Sequence, residues 1–303
     1  MSDEQAGQDA GRPADNAGQA TPGQDTGDPA TADGARAGGA TADQATPRQA
    51  IRDISVSLGA DHVAIVEISR PPNNFFDAGL IGALADALGE LAGDAACRAV
   101  VLCSEGRHFC AGADFSRASP IGPGDGPHLY DMAARLFEQP LPIVAAIQGA
   151  AVGGGLGLAL AADFRVASAS SRFAANFARL GIHQGFAITV TLPAVIGQQA
   201  ALDLLYTGRR VGGDEAHRLG LCDRLAAPGE ERAAACALAA EIAASAPLAV
   251  RSIRQTMRGP LAAQAVAAMR RERAEQEKLT STADFREGVA AAAQRRVPSF
   301  TGC

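Results

Sequence analysis

Residues 142–168 read PIVAAIQGAAVGGGLGLALAADFRVAS, and this stretch decides the fold class. The run LPIVAAIQG at 141–149 is apolar at consecutive positions, Val144, Ala145, Ala146 and Ile147. A half-buried strand alternates; an unbroken short run predicts a strand covered on both faces. Gly153-Gly154-Gly155 then stops the run and opens an apolar helix over about 154–162. ADFRVASAS at 162–170 predicts a further strand. Strand, glycine turn, helix and strand in succession is the signature of a layered α/β body.

Working outward, the same alternation continues upstream. CRAVVLCS at 97–104 predicts a short buried strand and HVAIVEI at 62–68 another, while residues 51–58 give a looser one. Leu80, Ile81, Leu84, Leu88 and Leu91 recur at helical spacing over 78–92, and a helix is expected at about 128–139. Downstream the character changes. Segments 193–206, 213–220, 229–245, 247–257, 260–277 and 283–294 all read as helices, which gives a mostly helical region from about residue 200.

Residues 1–50 contain no Val, Leu, Ile, Phe or Tyr. Such a segment cannot offset its ordering entropy by burial, so it reads as a disordered Ala/Gly/Asp-rich tail, with one folded domain over 51–303. The tail carries eight acids and three bases, leaving the body close to neutral within a total of -6. That balance provides no basic face for a nucleic acid. The six cysteines form no CxxC pair and no metal-spaced cluster with histidine. Buried free thiols in a reducing compartment are expected, with no metal. No signal peptide or membrane-length apolar run stands out, so the expectation is a cytoplasmic protein with no membrane partner.

Two glycine-bearing turns carry the chemical signal. GRHFCAGAD at 106–114 follows the strand at 97–104, and GAAVGGGLG at 149–157 follows the strand at 141–149. The second lacks both the GK[ST] ending of a P-loop and the spacing of the dinucleotide fingerprint. A glycine turn that opens a helix presents unpaired N–H groups along the helix dipole, which favours a negative oxygen. Two such turns side by side would aim two backbone donors at one carbonyl and stabilise an enolate or tetrahedral oxyanion.

The motifs SEGRHFCAGADF, PIVAAIQGAAVGGGLGLALAADFRVAS, FARLGI and EGVAAAAQRRVPSF together resemble the enoyl-CoA hydratase/isomerase (crotonase) family, from about residue 51 to residue 300. The resemblance implies an α/β spiral of ββα units with a helical C-terminal region. It implies an acyl-CoA thioester as substrate, coenzyme A entering only as part of it, and assembly as a homotrimer or a dimer of trimers through the helical region. By position, the resemblance assigns the oxyanion amides to Ala113 and Gly154. It places the backbone near Ala111 at the adenine end and Arg295 near the CoA phosphates.

The family's hydratases use two glutamates to handle water. The first belongs three residues beyond the middle glycine of the GGG, where this chain has Gly157. The second falls four residues before Gly181, where it has Phe177. The acid of dienoyl isomerases aligns near Gly185. Each positioned acid or base contributes roughly 10²–10⁴-fold, so ordinary two-glutamate hydration is disfavoured. Phe177 suggests an apolar wall for the acyl group.

His183 has a suitable unperturbed pKa for acid/base work, and Gln184 follows it. Both are candidates, although a histidine here also reads as structural. Asp114 is a candidate substrate contact or a helix cap, His108 a neighbour of CoA, and Cys110 a nucleophile or a small buried residue. The loop at 119–127, with His128, Tyr130 and Asp131 behind it, is a candidate cover for the acyl site. Two function classes remain open: an enzyme acting on an acyl-CoA through an oxyanion-stabilised enolate, or a non-catalytic acyl-CoA binding or assembly protein.

Overall fold

The computed structural model describes residues 46–51, 53–114 and 127–303. The expected tail, up to residue 45, and the candidate cover loop at 119–126 lie outside the described residues.

The chain opens with β1 (Thr46–Ile51), β2 (Ile54–Leu58) and β3 (Val63–Ile68), followed by α1 (Ala78–Gly93), β4 (Ala99–Ser104) and α2 (Leu129–Phe137). Next come β5 (Ile143–Ile147), β6 (Ala150–Val152), α3 (Gly154–Ala161), β7 (Phe164–Ser168) and β8 (Arg172–Ala174). A 3-10 turn at Asn176–Leu180 leads into α4 (Ile188–Ile196) and α5 (Gln198–Thr207). The order closes with β9 (Arg210–Gly212), α6 (Gly213–Leu219), β10 (Arg224–Ala226), α7 (Glu231–Ala243), α8 (Pro247–Leu279) and α9 (Ala283–Gln294). This is the expected spiral of ββα units with a helical C-terminal region.

The main sheet runs β1-β2-β3-β4-β5-β7-β10, antiparallel through its first three strands and parallel from β3 onward. A second sheet, β6-β8-β9, is built from the strands beside the glycine turns. Every residue of β4 and β5 is buried, because both faces of the sheet are covered. Val100, Leu102, Ile143, Ala145 and Ile147 face the core shared with α1 and α2. The alternate residues Val101, Cys103, Val144 and Ala146 face Ala235, Leu238 and Ala239 of α7. The period-2 alternation of a strand thus splits one apolar run between two cores.

Three boundaries differ from the sequence reading. The first strand starts at Thr46, ahead of Ile51, because it pairs with β2 through its main chain at a sheet edge. Such pairing needs no apolar side chain, and an edge strand with a register shift between Pro47 and Gln49 tolerates the proline. The helix expected at 193–206 is two helices, broken at Gly197, whose φ of 77° lies in the left-handed region. Conversely, the helices expected at 247–257 and 260–277 are one, α8, running through Pro260. The lost donor frees the carbonyl of Thr256, an exposed residue whose oxygen solvent can satisfy.

Candidate active site

The two glycine turns meet through main-chain pairing. Cys110 N–H donates to Ala150 O (2.9 Å) and Val152 N–H to Cys110 O (3.0 Å), which ties the first turn alongside β6. Phe76 N–H donates to Gly112 O (3.0 Å), and Ala111 N–H donates to Asn73 O (3.0 Å). Asn74 locks the 70–76 turn to this platform. Its buried amide donates to Glu105 O (2.8 Å) and His108 O (2.6 Å) and accepts from Arg70 N–H (2.9 Å).

Gly112 makes the close approach possible. Its φ is +90°, and a Cβ there would stand 2.8 Å from Val152 O and 3.3 Å from Gly154 N. A side chain is therefore excluded both by conformation and by space. Among the described residues, neither Ala113 N–H nor Gly154 N–H donates to a main-chain carbonyl. Both residues line one cavity of about 290 Å³, at the small end of ligand pockets.

The cavity walls are aromatic and aliphatic. Phe76, Phe177, Phe186, Leu129 and Leu180 contribute, and Val289, Ala292 and Ala293 of α9 close one side. The Phe76 and Phe186 rings pack at 5.3 Å between centroids, and Phe186 packs on Phe137 at 6.5 Å. Burying a ring of this size stabilises the fold by roughly 1.5–3 kcal/mol, so the walls are also core. Phe186 fills the space beside Gly157, where a Cβ would stand 2.5 Å from Phe186 Cβ. The described lining contains no carboxylate, imidazole or thiol. Its polar side chains are Asn176, Tyr130 and Gln276.

Tyr130 stands in the first turn of α2. Its hydroxyl donates to Gln276 Oε1 (2.7 Å), and Gln276 Nε2 donates to the carbonyl of His183 (2.9 Å). Gln276 belongs to α8, as does Glu272 one turn earlier. The Glu272 carboxylate accepts from Ala187 N–H (2.8 Å), Thr189 N–H (3.0 Å) and Thr189 Oγ1 (2.6 Å). Burial nevertheless holds that carboxyl above its ordinary range, against the pull of these three donors. The two residues pin the 183–189 segment to α8. Asn176 makes no side-chain hydrogen bond among the described residues, and its Oδ1 lies 3.4 Å from the Cβ position of Gly153.

The candidate residues separate accordingly. Ala111, Ala113, Gly154 and Phe177 share the cavity. His183 is outside its lining, with Nδ1 2.8 Å from Gln184 O and its carbonyl committed to Gln276. The left-handed turn at Phe186 and Ala187 carries the apolar side chains inward instead. Gln184 is also outside, donating to Thr189 Oγ1 (3.2 Å). His128 is the N-cap of α2, accepting from Tyr130 N–H at 3.1 Å, so its ring is spent on the helix start. Asp114 is half-buried next to the lining residue Ala113. Arg295 is exposed at the left-handed C-cap of α9, two residues past the lining Ala293. His108 is off the lining, and burial lowers its pKa. Cys110 is fully buried and off the lining, and burial pushes its thiol up to about 12, which disfavours the reactive thiolate. The reading of the sequence missed Phe76, Phe186, Asn176 and Gln276. Only the aromatic character of two of them was a signal, because their convergence depends on long-range packing.

No single helix among the described residues is long and apolar enough to cross a membrane. The family model for enoyl-CoA hydratase/isomerase matches residues 59–303. A probable enoyl-CoA hydratase of Bacillus subtilis is 33% identical over 256 residues, covering 82% of this chain and 99% of its own. A putative enoyl-CoA hydratase of Thermus thermophilus is 34% identical over 253 residues, covering 81% and 100%. Among solved structures, an enoyl-CoA hydratase/isomerase of Pseudoalteromonas atlantica superposes with a TM-score of 0.75 at 32% identity, covering 82% of this chain and all of its own. A match that runs from β3 through both glycine turns to the C-terminal helices leaves one conclusion: the chain belongs to the enoyl-CoA hydratase/isomerase family, a family of enzymes.

Proposed function

We propose that the cavity holds the acyl group of a coenzyme A thioester, with the thioester oxygen accepting from the N–H groups of Ala113 and Gly154. The observation that carries this reading is that both turns open onto one apolar cavity, with the Gly112 Cβ position 3.3 Å from Gly154 N. Drawing charge onto that oxygen makes the adjacent carbon acidic and the β-carbon electrophilic, and losing one such donor typically costs about 10²–10³-fold in rate. In this reading Arg295, at the end of α9, meets the CoA phosphates, and the backbone near Ala111 meets the adenine end. Coenzyme A enters as part of the substrate; the reading calls for no separate cofactor.

Gly157 and Phe177 stand where the family's hydratases carry glutamates, so the reaction proceeds through an oxyanion-stabilised enolate without that pair. Asn176, beside the start of α3, is the polar side chain available to orient water or the substrate near the reacting carbons. We further propose a cytoplasmic homotrimer or dimer of trimers assembled through the C-terminal helices. A second reading, a non-catalytic acyl-CoA binding or assembly protein, is favoured by the lack of any carboxylate or imidazole in the described lining.

One screen decides between them. Enoyl-, dienoyl-, β-hydroxyacyl- and malonyl-type CoA esters are incubated in deuterated water and followed by mass spectrometry. Deuterium uptake next to the thioester, or product, supports the enzyme. Binding with neither uptake nor product supports the binding protein, and failure to bind any ester refutes the site itself.

A further inference from the structure

We infer that Tyr130 and Gln276 form a polar subsite in the wall of the acyl cavity, and that the protein selects acyl groups bearing an oxygen substituent on the acyl chain. This inference rests on the acyl-CoA reading of the cavity.

The position of the pair follows from a chain of contacts. A Cβ on Gly154 would overlap the tip of the Phe76 ring, so that ring borders the oxyanion end. Phe76 packs on Phe186 at 5.3 Å, and the Cβ position of Gly185, the residue before Phe186, abuts the Tyr130 hydroxyl. Two rings therefore separate the Gly154 amide from the phenol. The oxygen-bearing group therefore meets a bound acyl chain beyond the thioester oxygen.

The pair is held in a defined orientation. Gln276 Nε2 is fixed by the His183 carbonyl, which turns Oε1 toward the phenol. Burial pushes the Tyr130 pKa upward, so the phenol stays neutral and cannot serve as a base. Its role is recognition. A hydroxyl has one donor and two acceptor sites, and a carboxamide has two donors and an acceptor oxygen with two lone pairs. After the bonds to each other and to His183, the acceptor sites of the phenol and one donor and one acceptor site on the amide are left. Both residues line the cavity. Gly185 makes room for this, because a Cβ there would collide with the Tyr130 hydroxyl. Apart from these two residues and Asn176, the side chains of the described lining are apolar.

The test walks a hydroxyl along the chain. Dissociation constants are measured by calorimetry for straight-chain acyl-CoA esters of increasing length, each paired as terminal methyl and terminal hydroxyl. An apolar cavity penalises the hydroxyl at every length, since an unpaired polar group is costly to bury. With the subsite in place, the hydroxyl ester binds tighter at one chain length, by about three- to tenfold for one or two net hydrogen bonds. At that length, Tyr130→Phe and, separately, Gln276→Met bring the ratio to one or below. Two variants from different helices guard against a local packing defect in either. A series in which no hydroxyl ester outbinds its methyl partner overturns the inference and leaves the acyl-CoA reading standing. So does a preference that survives both substitutions. If no ester of either kind binds, the acyl-CoA reading fails and the inference fails with it.

Discussion

Adding a single methyl group at Gly157 separates a crowded reading of the site from an open one. In α3, Gly157 is buried, and an added Cβ would stand 2.5, 2.9 and 3.0 Å from Cβ, Cγ and Cδ1 of Phe186. Phe186 has little freedom to retreat. It is 1% exposed, its φ is +61°, and it is wedged between Phe76 and Phe137. Overpacking of this kind costs about 1–3 kcal/mol. Against it, alanine gains about 0.5–1 kcal/mol over glycine inside a helix. Gly157→Ala should therefore destabilise the protein, by up to about 2.5 kcal/mol. The matched control is Gly89→Ala in α1, an exposed position where an added Cβ meets nothing within 4 Å. There only the helix term acts, and the change should stabilise by about 0.5–1 kcal/mol. Urea unfolding midpoints of wild type and both variants at one protein concentration, which holds any assembly constant, give the comparison. The same chemical change should shift the midpoint in opposite directions. A Gly157→Ala protein as stable as wild type or more so would refute the claim that Phe186 occupies the place of the family's first glutamate.

Other outcomes follow from the same geometry. Gly112→Ala, with a Cβ 2.8 Å from Val152 O and a φ of +90°, should spread the two amides and cut α-proton exchange by about 10²-fold or more, read by deuterium incorporation. Burial holds the thiols of Cys103 and Cys110 at about 12 and that of Cys222 at about 11, whereas Cys303 is exposed. Alkylation of the native protein at pH 8 with peptide mapping should label Cys303 first, and prompt labelling of Cys110 would contradict its burial. Asp223 pairs at 2.8 Å with Arg165, which is 3% exposed. Asp223→Ala should cost about 1.5–3 kcal/mol in denaturant unfolding, because buried Arg165 loses its bonded carboxylate and keeps only the Leu221 and Ala162 carbonyls as hydrogen-bond partners. Arg296 and the Ser299 N–H hold the Glu287 carboxyl down at about 2. The contribution of this depressed group to stability is present above its ordinary value near 4.5 and is lost as pH falls through about 2. At neutral pH, Glu287→Gln should speed amide exchange at Ser299, measured by hydrogen–deuterium exchange.

Much of this protein is written locally in the chain. The runs at 62–68, 97–104 and 141–149 specify buried strands because consecutive apolar residues leave no solvent face, and β3, β4 and β5 fall there. Gly112 and Gly154 mark the turns, since only glycine meets the backbone and spacing demands of those positions. The absence of acids at 157 and 177 is likewise plain in the letters. What surrounds those turns was not legible. His183 and Phe186 are three residues apart in one segment. The left-handed turn at Phe186 and Ala187, pinned by Glu272 from 85 residues downstream, puts the phenylalanine in the cavity and leaves the histidine outside it. Gln276 reads as one polar residue in a charged helix, yet it is 2% exposed and bonded to Tyr130, 146 residues away. The sequence by itself determined where strands, turns and backbone donors occur, because those depend on neighbours along the chain. Only the tertiary structure decided which side chains meet the acyl cavity, because that choice is made by packing between segments whose separation in sequence carries no record of their distance in space.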